Sequence, residues 1–257
     1  MEDLFVKSGT ITMHALKCGN DNQGPIIFIH GYVASSWWWR DLMKGMENDF
    51  TTYALDMRGC GETDKLRDGY SPDQMAADVA AFMDDLKIES AIIVGHSMGG
   101  YIAQALALNH PEKVKKLVLV CTAPTGENHP GLAFVAMDAS LHPDITFEWM
   151  RASMDMLFGE PAADPLRDKL AGEALKACRD AYLQQMASLT ITNMSDRLET
   201  ISVPTLVIVG KQDRFSPDPS PFEAIPNITI EIFEQSSHVP MFQEAEKFKN
   251  IISNFAR

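Results

Sequence analysis

Glu89-Ser-Ala-Ile-Ile-Val-Gly-His-Ser-Met-Gly-Gly-Tyr-Ile-Ala-Gln-Ala-Leu-Ala-Leu108 is the stretch around which the rest of the chain is organised. Its short apolar run, Ala91 to Val94, has the pattern of a strand buried on both faces. Tyr101 to Leu108 is rich in Ala and Leu and free of Gly and Pro, which predicts a helix. Between them, Gly95-His96-Ser97-Met98-Gly99 is a G-x-S-x-G where a strand must reverse sharply into a helix. A side chain at either flanking glycine would collide with the neighbouring strand or helix. The serine between them is expected on a strained turn, its hydroxyl outward. Ser97 is therefore the candidate nucleophile.

Working outward, the chain alternates strand and helix. Residues 3–7 and 10–17 alternate around Ser8-Gly9 and predict a hairpin of two exposed strands. Ile26–Ile29 predicts a central strand, followed by the small-residue loop from His30 to Ser36 and a helix opening on Trp37, Trp38 and Trp39. Adjacent tryptophans face different sides of a helix, so one or two at most can reach a pocket. Thr52–Leu55 is a further strand, followed by the glycine-punctuated loop Asp56 to Asp64. Ser71-Pro72-Asp73-Gln74 signals a capped helix with a capping box. Val114 to Val120, Val203 to Val209 and Ile228 to Phe233 complete the strands, and Glu244 to Phe255 reads as the closing helix.

From Pro124 to about Leu198 the alternation stops, and apolar spacing is helical throughout. Phe147, Met150, Met154 and Leu157 form one stripe; Leu175, Cys178, Tyr182, Met186 and Leu189 form another. Residues 124–198 are thus expected to be an inserted helical cap, with 1–123 and 199–257 as the core domain. Its methionines, together with Phe134 and Trp149, suit an adaptable apolar pocket. Tyr32, Trp149, Met150, Met154, Met186 and Val239 are the candidate substrate contacts.

Four loops fall at the carboxyl ends of predicted parallel strands, where functional groups gather. They carry His30-Gly31-Tyr32, Ser97, Asp213 and His238. A serine hydroxyl is a weak nucleophile and needs a base, for which neutral imidazole suits pH near 7. His238 is the candidate base, and Asp213 would hold its tautomer and stabilise the imidazolium. An attacked carbonyl develops an oxyanion that needs two preorganised donors. The backbone N–H groups of Met98 and Tyr32 are the candidates.

With these residues in place, the chain resembles the α/β-hydrolase fold superfamily, close in pattern to carboxylesterases, enol-lactonases and the C–C bond hydrolases of aromatic ring degradation. The resemblance rests on His30-Gly31, Asp56-x-Arg58-Gly59-x-Gly61-x-Thr63, Gly95-x-Ser97-x-Gly99-Gly100, Gly210-x-x-Asp213 and His238-x-Pro240. It implies a mostly parallel sheet of about eight strands flanked by helices. It also implies cofactor-free hydrolysis of carboxylic esters with small-to-medium apolar acyl groups, through an acyl-enzyme. A lactonase, perhydrolase or C–C hydrolase would use the same residues, and a slow-turnover ligand sensor would keep them too. Serine at position 97 sets the chain apart from the dehalogenases and epoxide hydrolases that place aspartate there. Ser237 replaces the family's usual glycine, and residues 217–226 are too rich in proline for a full helix. Tyr32 would either crowd the acyl pocket or offer its hydroxyl to substrate. His96 is expected to pack, and His110 to end the elbow helix. His14, His129 and His142 are expected at the surface or in loops, and Asp78, Asp144 and Asp155 as solvated helix charges.

The chain has 257 residues, 46% hydrophobic and 22% charged, an ordinary balance for a globular protein. A net charge of −13 opposes binding to nucleic acid or anionic membranes. Cys18, Cys60, Cys121 and Cys178 show no metal or redox spacing, and no metal or other cofactor is expected. The first residues do not read as a signal peptide and no apolar run approaches membrane-spanning length, so a cytoplasmic location is expected. Oligomeric state is not encoded in any visible pattern.

A histidine base must be neutral to accept the serine proton. Hydrolysis is therefore expected to fall as pH drops through about 6–7, where an ordinary imidazole protonates. A pH–rate profile checks this; activity that stays flat to about pH 4 would require a different base.

Overall fold

The computed structural model describes residues 1–19, 24–142, 144–160, 164–216 and 218–257. Eight strands form one sheet: β1 (Glu2–Ser8), β2 (Ile11–Cys18), β3 (Ile26–Ile29), β4 (Thr52–Leu55), β5 (Ala91–His96), β6 (Val114–Val120), β7 (Thr205–Gly210) and β8 (Ile228–Phe233). Their order is β1-β2-β4-β3-β5-β6-β7-β8. β1 pairs with β2, and β2 with β4, antiparallel; the remaining neighbours are all parallel. The hairpin is therefore not two exposed strands. β2 lies between β1 and β4 and packs Ile11, Met13 and Ala15 into the core with Met75, Val79 and Phe82, while β1 forms this edge of the sheet.

The parallel strands read as near-continuous apolar runs because helices cover both faces. Alternation within each run sorts its side chains. Phe28, Val94, Val118 and Ile208 face the side covered by α1 (Arg40–Met46) and α9 (Ala245–Ala256), against Met43, Phe248 and Ile252. Ile27, Ile93, Leu117 and Val207 face the side of α2 (Pro72–Asp85) and α3 (Met98–Asn109), against Val79 and Ile102. Each such fully buried side chain contributes about 1.5–3 kcal/mol. Of the three tryptophans, Trp39 stacks on Phe28 in the core, Trp38 reaches the central cavity and Trp37 stays half-buried.

α2 starts as expected, with Ser71 Oγ accepting the Gln74 N–H and Pro72 in the first turn. The Gln74 side chain does not close the expected capping box; it donates instead to Asp78 Oδ1 at 3.3 Å. Asp78 itself is no solvated charge. It is buried and accepts from Arg58 Nε and Nη2, both at 2.8 Å, because the planar guanidinium fork matches a carboxylate. That pair ties the loop after β4 to α2.

Between β6 and β7 come α4 (Pro130–Leu141), α5 (Phe147–Phe158), α6 (Pro165–Ala174) and α7 (Arg179–Leu189). Among the described residues here the only β pairing is the isolated bridge Thr125–Asn193. Phe147 and Leu175, expected on buried stripes, are exposed. Leu175 caps α6 at its C-terminus, and Cys178 caps α7 at its N-terminus, so a helix break separates Leu175 from Tyr182. In the proline-rich stretch, a 3-10 turn of five residues, Ser220–Ala224, stands in place of a full helix; Pro217 lies outside the described residues.

Candidate active site

At the β5–α3 junction Ser97 adopts φ 53° and ψ −118°, a conformation outside the usual regions for a residue with a side chain. Close backbone contacts hold it there. A Cβ on Gly95 would lie 2.2 Å from the Gly99 carbonyl oxygen, and one on Gly99 2.3 Å from that of Ile29. On Gly100 it would meet Thr122 at 2.5 Å. The Ser97 N–H donates to the Val120 carbonyl at 2.9 Å, and the Thr122 hydroxyl to the Ser97 carbonyl at 2.8 Å. Ser97 is half-buried and borders a cavity.

His238 faces the same cavity. Its Nδ1 lies 2.9 Å from Asp213 Oδ2, while Asp213 Oδ1 accepts the Phe215 N–H at 2.8 Å. The carboxylate accepts the Nδ1 proton, leaving Nε2 with its lone pair free to act as a base. Burial pushes the Asp213 carboxyl up. The charge and hydrogen bond of His238, with the Phe215 and Ser216 N–H groups, outweigh burial and hold it below the usual carboxylate range. The His238 carbonyl accepts from His96 Nε2 at 2.8 Å, and its N–H donates to Leu157 of α5 at 3.0 Å. His96 packs as expected. Burial, then the nearby charge of His238, pushes its imidazole down to about 3, so it stays neutral. A Cβ on Gly210 would strike the Ser237 carbonyl oxygen at 1.9 Å, so this glycine lets β7 run close beneath the histidine loop.

The candidate oxyanion donors also border the cavity. Met98 opens α3, where N–H groups have no intrahelical acceptor. Among the described residues, neither the Met98 nor the Tyr32 N–H has a hydrogen-bond partner. The adjacent Val33 N–H, by contrast, donates to Gln185 Oε1 at 3.4 Å. Three side chains hold this loop. His30 donates from Nδ1 to the Gly31 carbonyl at 2.7 Å and accepts the Met57 N–H at Nε2, 3.0 Å away. Asp56 accepts the N–H groups of Ser36 at 2.6 Å and Glu62 at 2.8 Å. Gln185, fully buried in α7, is the third. The positioning roles of Asp56 and Gln185 escaped the sequence reading. The Asp56 motif was visible, but its partners lie in other segments.

Tyr32 does not offer its hydroxyl to the cavity, because that hydroxyl donates to the Tyr182 carbonyl in α7. Trp149, Met150, Met154 and Met186 border the cavity with Tyr32. Val239 does not; it is buried and precedes the short α8 (Pro240–Gln243). Phe134 borders the cavity, whereas Met137 points to the exterior. The cavity holds about 100 Å³, room for roughly three waters at about 30 Å³ each.

Two histidines expected at the surface or in loops have other places. His14 is buried, with Nδ1 2.8 Å from Asp56 and Nε2 3.1 Å from Asp3. His129 caps α4, accepts the Leu132 N–H and borders the cavity. His142 is exposed and His110 ends α3, as expected. Asp144 is exposed, but Asp155 is part of a network with Arg151 and Arg167. Cys121, Asp213 and His238, far apart in the chain, bring potential ligand atoms within 4.8 Å of one another, a cluster that cysteine spacing could not reveal. Burial raises the Cys121 thiol well above its ordinary range, and Asp213 and His238 already bond each other.

The family model of the α/β-hydrolase fold matches residues 24–176. The chain belongs to the α/β-hydrolase fold family. It is 30% identical to the AB hydrolase superfamily protein YisY of Bacillus subtilis, over 90% of this chain and 91% of that protein. It is 27% identical to the 2-hydroxy-6-oxononadienedioate/2-hydroxy-6-oxononatrienedioate hydrolase of Burkholderia vietnamiensis, over 98% of this chain and 93% of that one. Among solved structures, an esterase from Exiguobacterium antarcticum superposes with a TM-score of 0.90 at 24% identity, covering 99% of both chains. Membership of this α/β-hydrolase family supports a hydrolase acting on small molecules. No helix among the described residues is long and apolar enough to cross a membrane.

Asp213→Asn keeps the shape of the residue but presents a donor to Nδ1 and so favours the wrong imidazole tautomer. Turnover of a short ester is expected to fall by about 10²–10⁴ in kcat with the circular dichroism spectrum unchanged. Near-full activity would place the acid elsewhere.

Proposed function

We propose that this protein is a cofactor-independent serine hydrolase of carboxylic esters. The observation that carries the reading is the buried Asp213–His238 pair opening onto the same apolar cavity as the strained Ser97 turn. Ser97 Oγ attacks the ester carbonyl while His238 Nε2 takes its proton. The oxyanion is held by the N–H groups of Tyr32 and Met98. The tetrahedral intermediate collapses, and the alcohol departs with the proton from His238. A water, deprotonated by the same Nε2, then attacks the acyl-enzyme; the acid leaves and Ser97 recovers its proton.

Residues 124–198 act in this reading as a cap on a core of residues 1–123 and 199–257, and Met150, Met154 and Met186 set the acyl pocket. Among the described residues that border the cavity there is no Lys or Arg. A dianionic substrate, such as the dioates in the name of the Burkholderia relative, would therefore enter without a counter-charge. This favours a compact ester that is not anionic over a C–C bond substrate of that kind.

Ser97→Ala is expected to fold normally and to lower turnover of 4-nitrophenyl acetate by at least about 10³, since triad members act as a unit. Mass spectrometry of the wild-type protein during turnover should show an acyl adduct on Ser97. An active alanine variant would overturn the mechanism.

Met154→Ala, which removes bulk from the cavity wall, is expected to shift the acyl-length optimum toward longer chains, each fitting methylene being worth about 1–3 kcal/mol. A profile of kcat/KM across linear acyl esters reads this out. An unchanged profile would assign the pocket to the core loops.

A further inference from the structure

Among the described residues that border the cavity, one carboxylate lies outside the proposed catalytic pair. Asp138, on α4, borders it, and its side chain is 24% exposed. Two contacts fix the carboxylate: Trp149 Nε1–H donates to Oδ2 at 2.7 Å, and His142 Nδ1 lies 3.1 Å from Oδ1 on the solvent side. A carboxylate has about four lone-pair sites, so these partners leave it able to accept further donors. Trp149 and Tyr32 border the cavity on either side of Tyr182, whose ring meets Trp149 edge-on at 5.5 Å and stacks on Tyr32 at 5.9 Å. After burial, the charge of Asp138 is among the causes that raise both tyrosine hydroxyls.

Among the described residues that border the cavity, none sets a cationic side chain against this carboxylate. Among the described lining residues there is no Lys or Arg. His129 accepts the Leu132 N–H at Nδ1 and lies 2.6 Å from the Phe215 carbonyl through Nε2, so both ring nitrogens are engaged away from Asp138. His96 is held neutral by burial. A half-buried carboxylate set among aromatic rings, in a chain of net charge −13, attracts a cation and disfavours an anion.

We propose that the Asp138 end of the cavity is a cation subsite, and that the preferred substrates are small esters carrying an ammonium group. The proposal rests on the ester-hydrolase reading and refines it: the acyl pocket is apolar, while the far end of the substrate is positively charged. The sequence pointed only to apolar acyl groups, because Asp138 could not be placed in the cavity from its position on a helix.

The test compares choline acetate with its neutral isostere 3,3-dimethylbutyl acetate, which has the same shape and number of heavy atoms. Wild-type kcat/KM is expected to favour the cation at least tenfold, chiefly through KM, with the preference shrinking at high salt. Asp138→Asn keeps an oxygen to accept from Trp149, and the preference is expected to collapse toward one. A wild-type ratio of one or less, which needs no variant, would overturn the proposal. So would a ratio that survives Asp138→Asn, or an equal loss for both esters, which would make Asp138 a purely structural anchor. Binding of both esters to the Ser97→Ala protein by calorimetry separates the two levels of inference. Tighter binding of the cation without turnover in the wild type would leave the subsite standing and remove the ester-hydrolase reading. Equal binding would remove the subsite whatever the fate of the chemistry.

Discussion

The structure depends on one backbone constraint, the turn at Ser97, whose φ of 53° and ψ of −118° belong to a sparsely populated region costing on the order of 1–3 kcal/mol. The turn persists because packing around it leaves no room to relax. Gly95 and Gly99 touch across it, Gly99 lies against the end of β3, and Gly100 lies against Thr122 after β6. Three neighbouring strands are thereby locked to the start of α3. The same contacts bring the Met98 N–H and the His30–Tyr32 loop to one cavity.

Around that turn the protein separates imidazoles by environment. His30 and His96 are buried, and burial lowers both, so each is a neutral hydrogen-bonding strut. His238 alone among these three is backed by a carboxylate. Asp56 shows the same economy. Burial alone would raise it, but His14 and the N–H groups of Ser36 and Glu62 hold it well below the carboxylate range. A permanently charged acceptor thus anchors the loop that presents Tyr32. Gly61 belongs to this arrangement, since a Cβ there would lie 1.9 Å from Asp56 Oδ2.

The helices between β6 and β7 contribute to the same cavity from above. Gln185 and the Tyr182 carbonyl of α7 hold the Val33 N–H and the Tyr32 hydroxyl, so the helical segment helps to shape the loop that carries the candidate donor Tyr32. The His238 N–H bond to Leu157 makes a second link, to α5. Movement of these helices would therefore be felt at the candidate donor Tyr32 and at His238.

Much of this protein was legible in its sequence. Apolar runs on both faces marked β3 to β7, because a parallel strand under two helix layers has no polar side. Glycines flanking Ser97 marked the elbow, since only a missing Cβ permits those approaches. The order of Ser97, Asp213 and His238 at strand ends singled out the candidate site, where the structure pairs Asp213 with His238 and sets Ser97 and His238 on one cavity. What the tertiary structure alone decided was the partner of each polar side chain. His14 and Asp78 were read as exposed, yet both are buried on partners, Asp56 and Arg58, that other segments supply. Val239 was placed at the pocket by its neighbour His238, and the turn into α8 buries it instead. Asp138 was not singled out in the sequence; α5 brings Trp149 against it. Periodicity is set by the backbone and can be read locally. A hydrogen-bond partner forty or a hundred residues away is set by packing, which no local pattern records.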